Sequence, residues 1–159
     1  KHEVIDDSKK ITEKKREELF DYVISACLDY KIEIISSSEI DLNGLQISNI
    51  AAMKKAALAL NPNPERILFD GYHIKDLPVP SDGIWQGDSS CISIAAASIL
   101  AKVTRDRLMR EYDLQYPGYG FAQHKGYSSP AHMNAIKELG LTPIHRKSFA
   151  NVAAVINKK

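Results

Sequence analysis

The sequence predicts an α/β fold in which a central mixed β-sheet is flanked by helices. Three observations carry that expectation. Residues Arg66–Phe69 form a short, nearly all-apolar run of the kind buried on both faces of a sheet. Residues 31–38 are rich in Ile, alternate partially and read as a second strand. Around both lie amphipathic helical patterns, and strands alternating with helices imply a sheet covered by helices.

The elements follow in order. Thr12 is placed to cap a helix reaching about Asp29, with Leu19, Phe20, Val23, Ile24, Cys27 and Leu28 on its apolar face. Lys31–Ser38 is the predicted strand, and Ser38-Glu39-Ile40-Asp41 a turn-like join. A second helix runs from about Leu45 to Leu60 and is stopped by Asn61-Pro62-Asn63-Pro64. Arg66–Phe69 is a strand, and Pro78–Gly83 a loop. A long Ala-rich helix follows, capped by Ser89 or Ser90 and ending near Tyr112. Its apolar positions Ile92, Ala95, Ala96, Ile99, Val103 and Leu108 recur at helical spacing. Tyr116–Ser129 is Gly- and Tyr-rich and reads as irregular. Pro130–Leu139 is a short helix stopped by Gly140. A short helical tail begins at about Ser148.

The chain has 159 residues, the size of one domain. Twenty-one basic residues oppose 20 acidic ones, a balance that does not by itself point to nucleic acid. Basic residues concentrate at Lys9–Arg16, Lys102–Arg110 and His145–Lys147, which reads either as a local patch or as solvated helix faces. Cys27 and Cys91 fall in apolar helical patterns and read as buried free thiols, consistent with a reducing, cytoplasmic setting. No apolar stretch reaches the roughly 18 residues needed to span a bilayer.

Several residues are placed for chemistry. Asp70 ends a buried strand, where ligands of open α/β sheets collect, although Asp-Gly is also a common turn. Asp88 opens the Ala-rich helix, where the macrodipole favours an acid; a plain exposed helix-start acid is the alternative. Asp106 lies one turn after Lys102 and reads as half of an i,i+4 ion pair. Lys9 and Lys10 precede a helix and suit phosphate, or are simply solvated. Tyr127, beside His124 and Lys125 in a Gly-rich loop, could stack on a sugar or cover the core. His145 and Arg146 fit a phosphate-binding or a structural role, and His132 reads as structural. No His/Cys spacing suggests zinc, and no Gly-rich nucleotide loop is present.

The run Asp88-Ser-Ser-Cys-Ile-Ser-Ile-Ala-Ala-Ala-Ser-Ile-Leu-Ala-Lys-Val-Thr-Arg-Asp resembles a signature of the type 2 ribonucleases H, specifically the bacterial ribonuclease HII family. Other segments resemble that family in family order. They are Asp7-Ser8-Lys9-Lys10, Ile67-Leu68-Phe69-Asp70-Gly71, Tyr116-Pro117-Gly118-Tyr119-Gly120-Phe121, His124-Lys125-Gly126-Tyr127 and His145-Arg146-Lys147-Ser148-Phe149. The family opens with a strand carrying Asp-Glu-Ala-Gly-Arg-Gly, which has no counterpart before Asp7. Gln86 stands where a lysine is usual, and Gly44 where a bulky apolar residue is usual.

The resemblance implies a ribonuclease H-like fold, its first strand missing from this chain, as a single N-terminally incomplete domain over residues 1–159. A sheet lacking that strand is expected to leave the isolated chain poorly stable. It implies a divalent-metal endonuclease, using Mg²⁺ or Mn²⁺, that hydrolyses the RNA strand of RNA–DNA hybrids. It also implies incision 5′ of single ribonucleotides in duplex DNA, with ribonucleotide removal and primer processing in the cytoplasm as a monomer. Asp70 and Asp88 would be the catalytic, metal-binding acids. Tyr127 would contact the ribose, and Lys9, Lys10, His124, Lys125 and Arg146 would bind substrate. A non-catalytic nucleic-acid-binding remnant of the family is the alternative.

Overall fold

Parallel pairing of two four-residue strands sets the frame for Asp70 and the turn that carries Asp88. The computed structural model describes residues 11–156. The described residues group into two compact units, one within Lys1–Ile34 and Asn49–Val103, the other within Ile35–Ser48 and Thr104–Lys159.

In the first unit, helix α1 (Glu13–Ala26) begins where predicted. The Thr12 side chain accepts the Lys15 amide at 3.3 Å, satisfying one orphan donor of the first turn. Leu19, Phe20 and Val23 are buried against Ile99, Leu100 and Val103 of helix α5 (Ile92–Gln115). Helix α3 (Leu45–Leu58) ends just before the Asn61-Pro62 stop and buries Ala57. Ala57 packs with Ile74 and with Ile67 and Phe69 of strand β1 (Ile67–Asp70).

Strand β2 (Ser81–Ile84) runs parallel to β1, pairing Ile67 with Ser81 and Asp70 with Ile84. This corrects the loop expected at Pro78–Gly83. Ser81 Oγ donates to the Ile74 carbonyl at 2.6 Å, and the Ile67 amide donates to the Pro80 carbonyl at 3.0 Å. The short connection is thereby folded back on the strands. Gly83 is needed here because a Cβ would stand 2.5 Å from the Tyr72 carbonyl oxygen. Among the described residues the sheet consists of these two strands.

The strand expected at Lys31–Ser38 does not form. Ser36 instead caps helix α2 (Ser37–Asn43) in a reciprocal box: its side chain accepts the Glu39 amide and the Glu39 carboxylate accepts the Ser36 amide. Serine and glutamate at this spacing outcompete the weak alternation before them. The turn-like join at residues 38–41 is therefore helical. The residues before it are fixed by side chains, with Lys55 paired to Glu33 at 2.7 Å.

Downstream of β2, Gln86 takes the left-handed conformation (φ +53°) and leads into the single turn α4 (Gly87–Ser90). Ser89 and Ser90 lie inside α4 and do not cap the long helix, which starts at Ile92 and runs past Tyr112 to Gln115.

In the second unit, α6 (Phe121–His124) gives the expected irregular stretch one helical turn. Helix α7 (Pro130–Leu139) matches its predicted bounds. Ser129 accepts the His132 amide, Pro130 sits in the first turn, and Gly140 lies past the end with φ +85°. Helix α8 (Ala150–Ile156) forms the tail. Tyr119, Phe121, Ala135, Ile136 and Val152 make the core of this unit. Cys27 and Cys91 are free and half-buried, each at a helix C-cap rather than on an apolar helix face. No helix among the described residues is long and apolar enough to cross a membrane.

Candidate functional site

Asp70 and the turn that carries Asp88 meet at the carboxyl end of the parallel strands. Asp70 is the last residue of β1 and is exposed. Its Oδ1 accepts the Gly87 amide at 2.9 Å, and the following Gly71 amide donates to the Ile84 carbonyl at 2.8 Å. The strand ends and the α4 turn are thus tied together, and the next residue along the turn is Asp88. Asp88 is only 8% exposed, so the expectation of a solvated helix-start acid is replaced by a buried carboxylate. Burying an ionisable carboxyl requires compensating partners.

Local geometry explains this placement. A Cβ on Gly87 would lie 2.5 Å from Ile94 Cδ1, so glycine allows the turn to press onto α5. The left-handed Gln86 holds a conformation that costs a non-glycine residue of order 1–3 kcal/mol, and such strain clusters at functional positions. Hard carboxylate oxygens suit Mg²⁺ or Mn²⁺, and Mg²⁺ is commonly held by one or two carboxylates with waters and substrate phosphate filling the rest. Asp70 and Asp88 fit that donor set. No group of three or more acidic, His or Cys side chains gathers as a metal site among the described residues.

In the second unit a second constellation forms around Tyr127, a residue that is 60% exposed. The Arg105 guanidinium lies 4.6 Å from the Tyr127 ring centroid and donates to the Lys125 carbonyl at 2.6 Å. Lys125 is a further left-handed residue (φ +50°), capping α6. His124 spends both ring nitrogens on its own segment: Nε2 donates to the Tyr119 carbonyl at 2.8 Å, and Nδ1 accepts the Gly126 amide at 3.2 Å. It therefore braces the loop that presents Lys125 and Tyr127.

Arg146 stacks over Phe149 at 3.8 Å. Burial lowers its proton affinity first, and the nearby Arg105 charge lowers it further, while Asp41 opposes both. Asp41 accepts the Lys147 and Ser148 amides at 2.8 and 2.9 Å and so fixes the segment that carries Arg146.

Among the sequence-selected residues, Asp70 and Asp88 lie in the first unit, Asp70 bonded to the residue before Asp88, and His124, Lys125, Tyr127 and Arg146 lie in the second. Lys9 and Lys10 lie outside the described residues. Arg105 was not singled out in the sequence; its only signal was membership of the basic run Lys102–Arg110. Asp106 is 3% exposed, deeper than an ordinary surface ion-pair partner.

The fold defines the class first. The chain superposes on the crystal structure of the ribonuclease H2 from Pyrococcus horikoshii OT3 with a TM-score of 0.82 at 23% identity, covering 97% of this chain and 81% of that one. Its fold is ribonuclease H-like, as the sequence predicts.

The sequence model of the Ribonuclease HII family matches residues 1–152, and the chain belongs to that family. It is 49% identical over 154 residues to the ribonuclease HII of Mycobacterium ulcerans (strain Agy99), covering 97% of this chain and 64% of that protein. It is 46% identical to the ribonuclease HII of Salinispora tropica, covering 96% and 57%, respectively. With the ribonuclease HII of Rhodococcus erythropolis it shares 47% identity, over 94% of this chain and 66% of that one. The chain thus spans less than two thirds of the length of these curated relatives.

Proposed function

We propose that the protein is an endoribonuclease that hydrolyses the RNA strand of RNA–DNA hybrids and incises 5′ of single ribonucleotides in duplex DNA. The observation that carries this reading is the Asp70–Gly87 hydrogen bond, which ties an exposed strand-end acid to the turn bearing the buried acid Asp88. Family membership supports the same reading.

Asp70 and Asp88 would hold a divalent cation, Mg²⁺ or Mn²⁺. When bound, such an ion supplies charge neutralisation at a phosphodiester and lowers the pKa of a nearby water. The residues do the rest. Asp70 keeps Oδ2 available while Oδ1 is held by Gly87, so its carboxylate is oriented before substrate arrives. Tyr127 offers an exposed aromatic face to a sugar, and a 2′-hydroxyl against it is what separates RNA from DNA. Lys125, Arg105 and Arg146 supply positive charge for phosphates, and Lys9 and Lys10 belong to the same role by resemblance. His124 shapes the loop. The half-buried free thiols agree with a reducing cytoplasm, and we assign a monomer acting in ribonucleotide removal and primer processing.

The test is hydrolysis of an RNA–DNA hybrid with Mg²⁺ or Mn²⁺. The expected products carry 3′-hydroxyl and 5′-phosphate ends, and chelation abolishes them. Salt-sensitive hybrid binding without metal-dependent cleavage would favour the non-catalytic remnant instead.

A further inference from the structure

His132 of α7 and His145 of the segment before α8 are 4% and 5% exposed, and their Nε2 atoms stand 3.1 Å apart. The remaining contacts fix which nitrogen carries each proton. The Thr142 amide points at His145 Nδ1 from 2.9 Å, so that nitrogen accepts; the Thr142 hydroxyl, at 2.8 Å, is then a second donor to it, and the Thr142 carbonyl is farther off, at 3.3 Å. His145 Nε2 is then the donor, and His132 Nε2 accepts from it. His132 Nδ1 in turn donates to the Tyr127 carbonyl at 3.0 Å. The chain of donors runs in one direction, from Thr142 through His145 and His132 to Tyr127. Both rings are neutral in it, and each ring nitrogen is satisfied.

The terminus of this relay is informative. Tyr127 is an exposed aromatic residue on a loop, yet its backbone is held from the buried side. Its carbonyl also accepts the Ser129 amide at 2.8 Å, and its amide donates to the His124 carbonyl at 2.9 Å. Arg105 lies over its ring, 4.6 Å from the centroid. The origin of the relay is equally placed, because His145 directly precedes Arg146. A pair of apolar side chains would fill the same space without the cost of burying polar groups. A fully satisfied polar network instead selects one arrangement.

We infer that the buried His132–His145 pair is a positioning device for substrate, setting the backbone of Tyr127 and thereby the placement of its ring against a ribose. The inference rests on the functional reading above for Tyr127.

The experiment measures kcat and KM of the protein at its full natural length, with Mg²⁺, on a DNA duplex carrying one ribonucleotide. The variants are His132→Phe, Tyr127→Ala and the double substitution. His132→Phe keeps a ring and removes both hydrogen bonds, and we expect about a tenfold loss, mostly in kcat, as loss of the one bond to the Tyr127 carbonyl implies. In the Tyr127→Ala background the same change is expected to have less than about a twofold effect, since a device acting through Tyr127 has nothing left to position. His132→Asn, which retains a donor near the Nδ1 position, is expected to restore most of the activity.

Parent-like cleavage by His132→Phe, or full additivity in the double variant, overturns the inference and leaves the functional reading intact. A parent without any cleavage overturns the functional reading and the inference together. If His132→Phe does not fold, long-range ¹H–¹⁵N spectra of the parent decide. A proton on His132 Nδ1 and on His145 Nε2 supports the relay, and the opposite tautomers overturn it.

Discussion

Asp70 Oδ1 and the amide of Gly87 form a 2.9 Å hydrogen bond across the ends of two parallel strands. The bond makes the orientation of one acid depend on the turn that carries the other. Asp70→Asn keeps an oxygen in that position and removes the charge. It is expected to melt like the parent while losing divalent-metal affinity. Asp70→Ala also loses the acceptor and is expected to cost about 0.5–1.5 kcal/mol. Chemical denaturation of the two variants side by side checks the difference.

Gly83 and Gly87 are tight for different reasons. A Cβ at Gly83 would meet backbone, the Tyr72 carbonyl, whereas a Cβ at Gly87 would meet the end of the Ile94 side chain. Ile94 can rotate and the Tyr72 backbone cannot without breaking the β1–β2 connection. Gly83→Ala is therefore expected to be the more destabilising, by about 1–3 kcal/mol. Denaturant midpoints of the two alanine variants test this, and equal midpoints would contradict it.

The histidine pair makes a pH-dependent contribution to stability. Burial lowers the proton affinity of His132, helped by His124, while the Tyr127 carbonyl opposes it. Burial also lowers that of His145, helped by His132 and His124, while the Thr142 carbonyl opposes it. The other titratable or charged groups around them are Tyr119, whose ring lies 5.5 Å from that of His145, and the neighbouring Arg146. In the unfolded chain these histidines titrate near 6.5. As pH falls below that value the unfolded chain takes up protons that the folded one refuses, so stability drops toward the lowered folded value. Above 6.5 the contribution is flat. Melts from pH 7.5 to 5 should show a loss that is smaller in His145→Phe.

Asp41 holds the Arg146 segment through two amides and the Ser148 hydroxyl. The Ser148 hydroxyl and amide, foremost, keep its carboxyl below the ordinary aspartate value of 3.8. A lowered folded value means stability present above 3.8 and lost as pH falls through the lower one. Asp41→Ala is expected to cost about 1–2 kcal/mol and to weaken hybrid binding through Arg146. Fluorescence anisotropy on a labelled hybrid reads the second effect.

Much of the helical framework was legible because its signals are local. The Thr12 cap, the proline stop after Leu58 and the Ser129-Pro130 start with Gly140 finish each act within one turn. Strand β2 was not legible. Pro78, Pro80 and Gly83 are loop punctuation by any local rule, and only the Tyr72 backbone lying over Gly83 makes glycine the residue a strand needs there. At Ser36 the capping box was present in the sequence but was outweighed by the Ile-rich run before it. The acids proposed for the site were singled out by resemblance. The burial of Asp88 was not, since it depends on Gly87 pressing against Ile94, and neither was Arg105 over Tyr127, which depends on the path of a loop.

The proposed role of Asp70 and Asp88 as the working end of a ribonuclease is tested most directly by offering a DNA duplex with one embedded ribonucleotide, with Mg²⁺ or Mn²⁺, to the protein and to its Asp70→Asn variant. A metal-dependent cut 5′ of the ribonucleotide is expected from the parent and none from the variant. Equal cutting by both, with the variant folded, would contradict it.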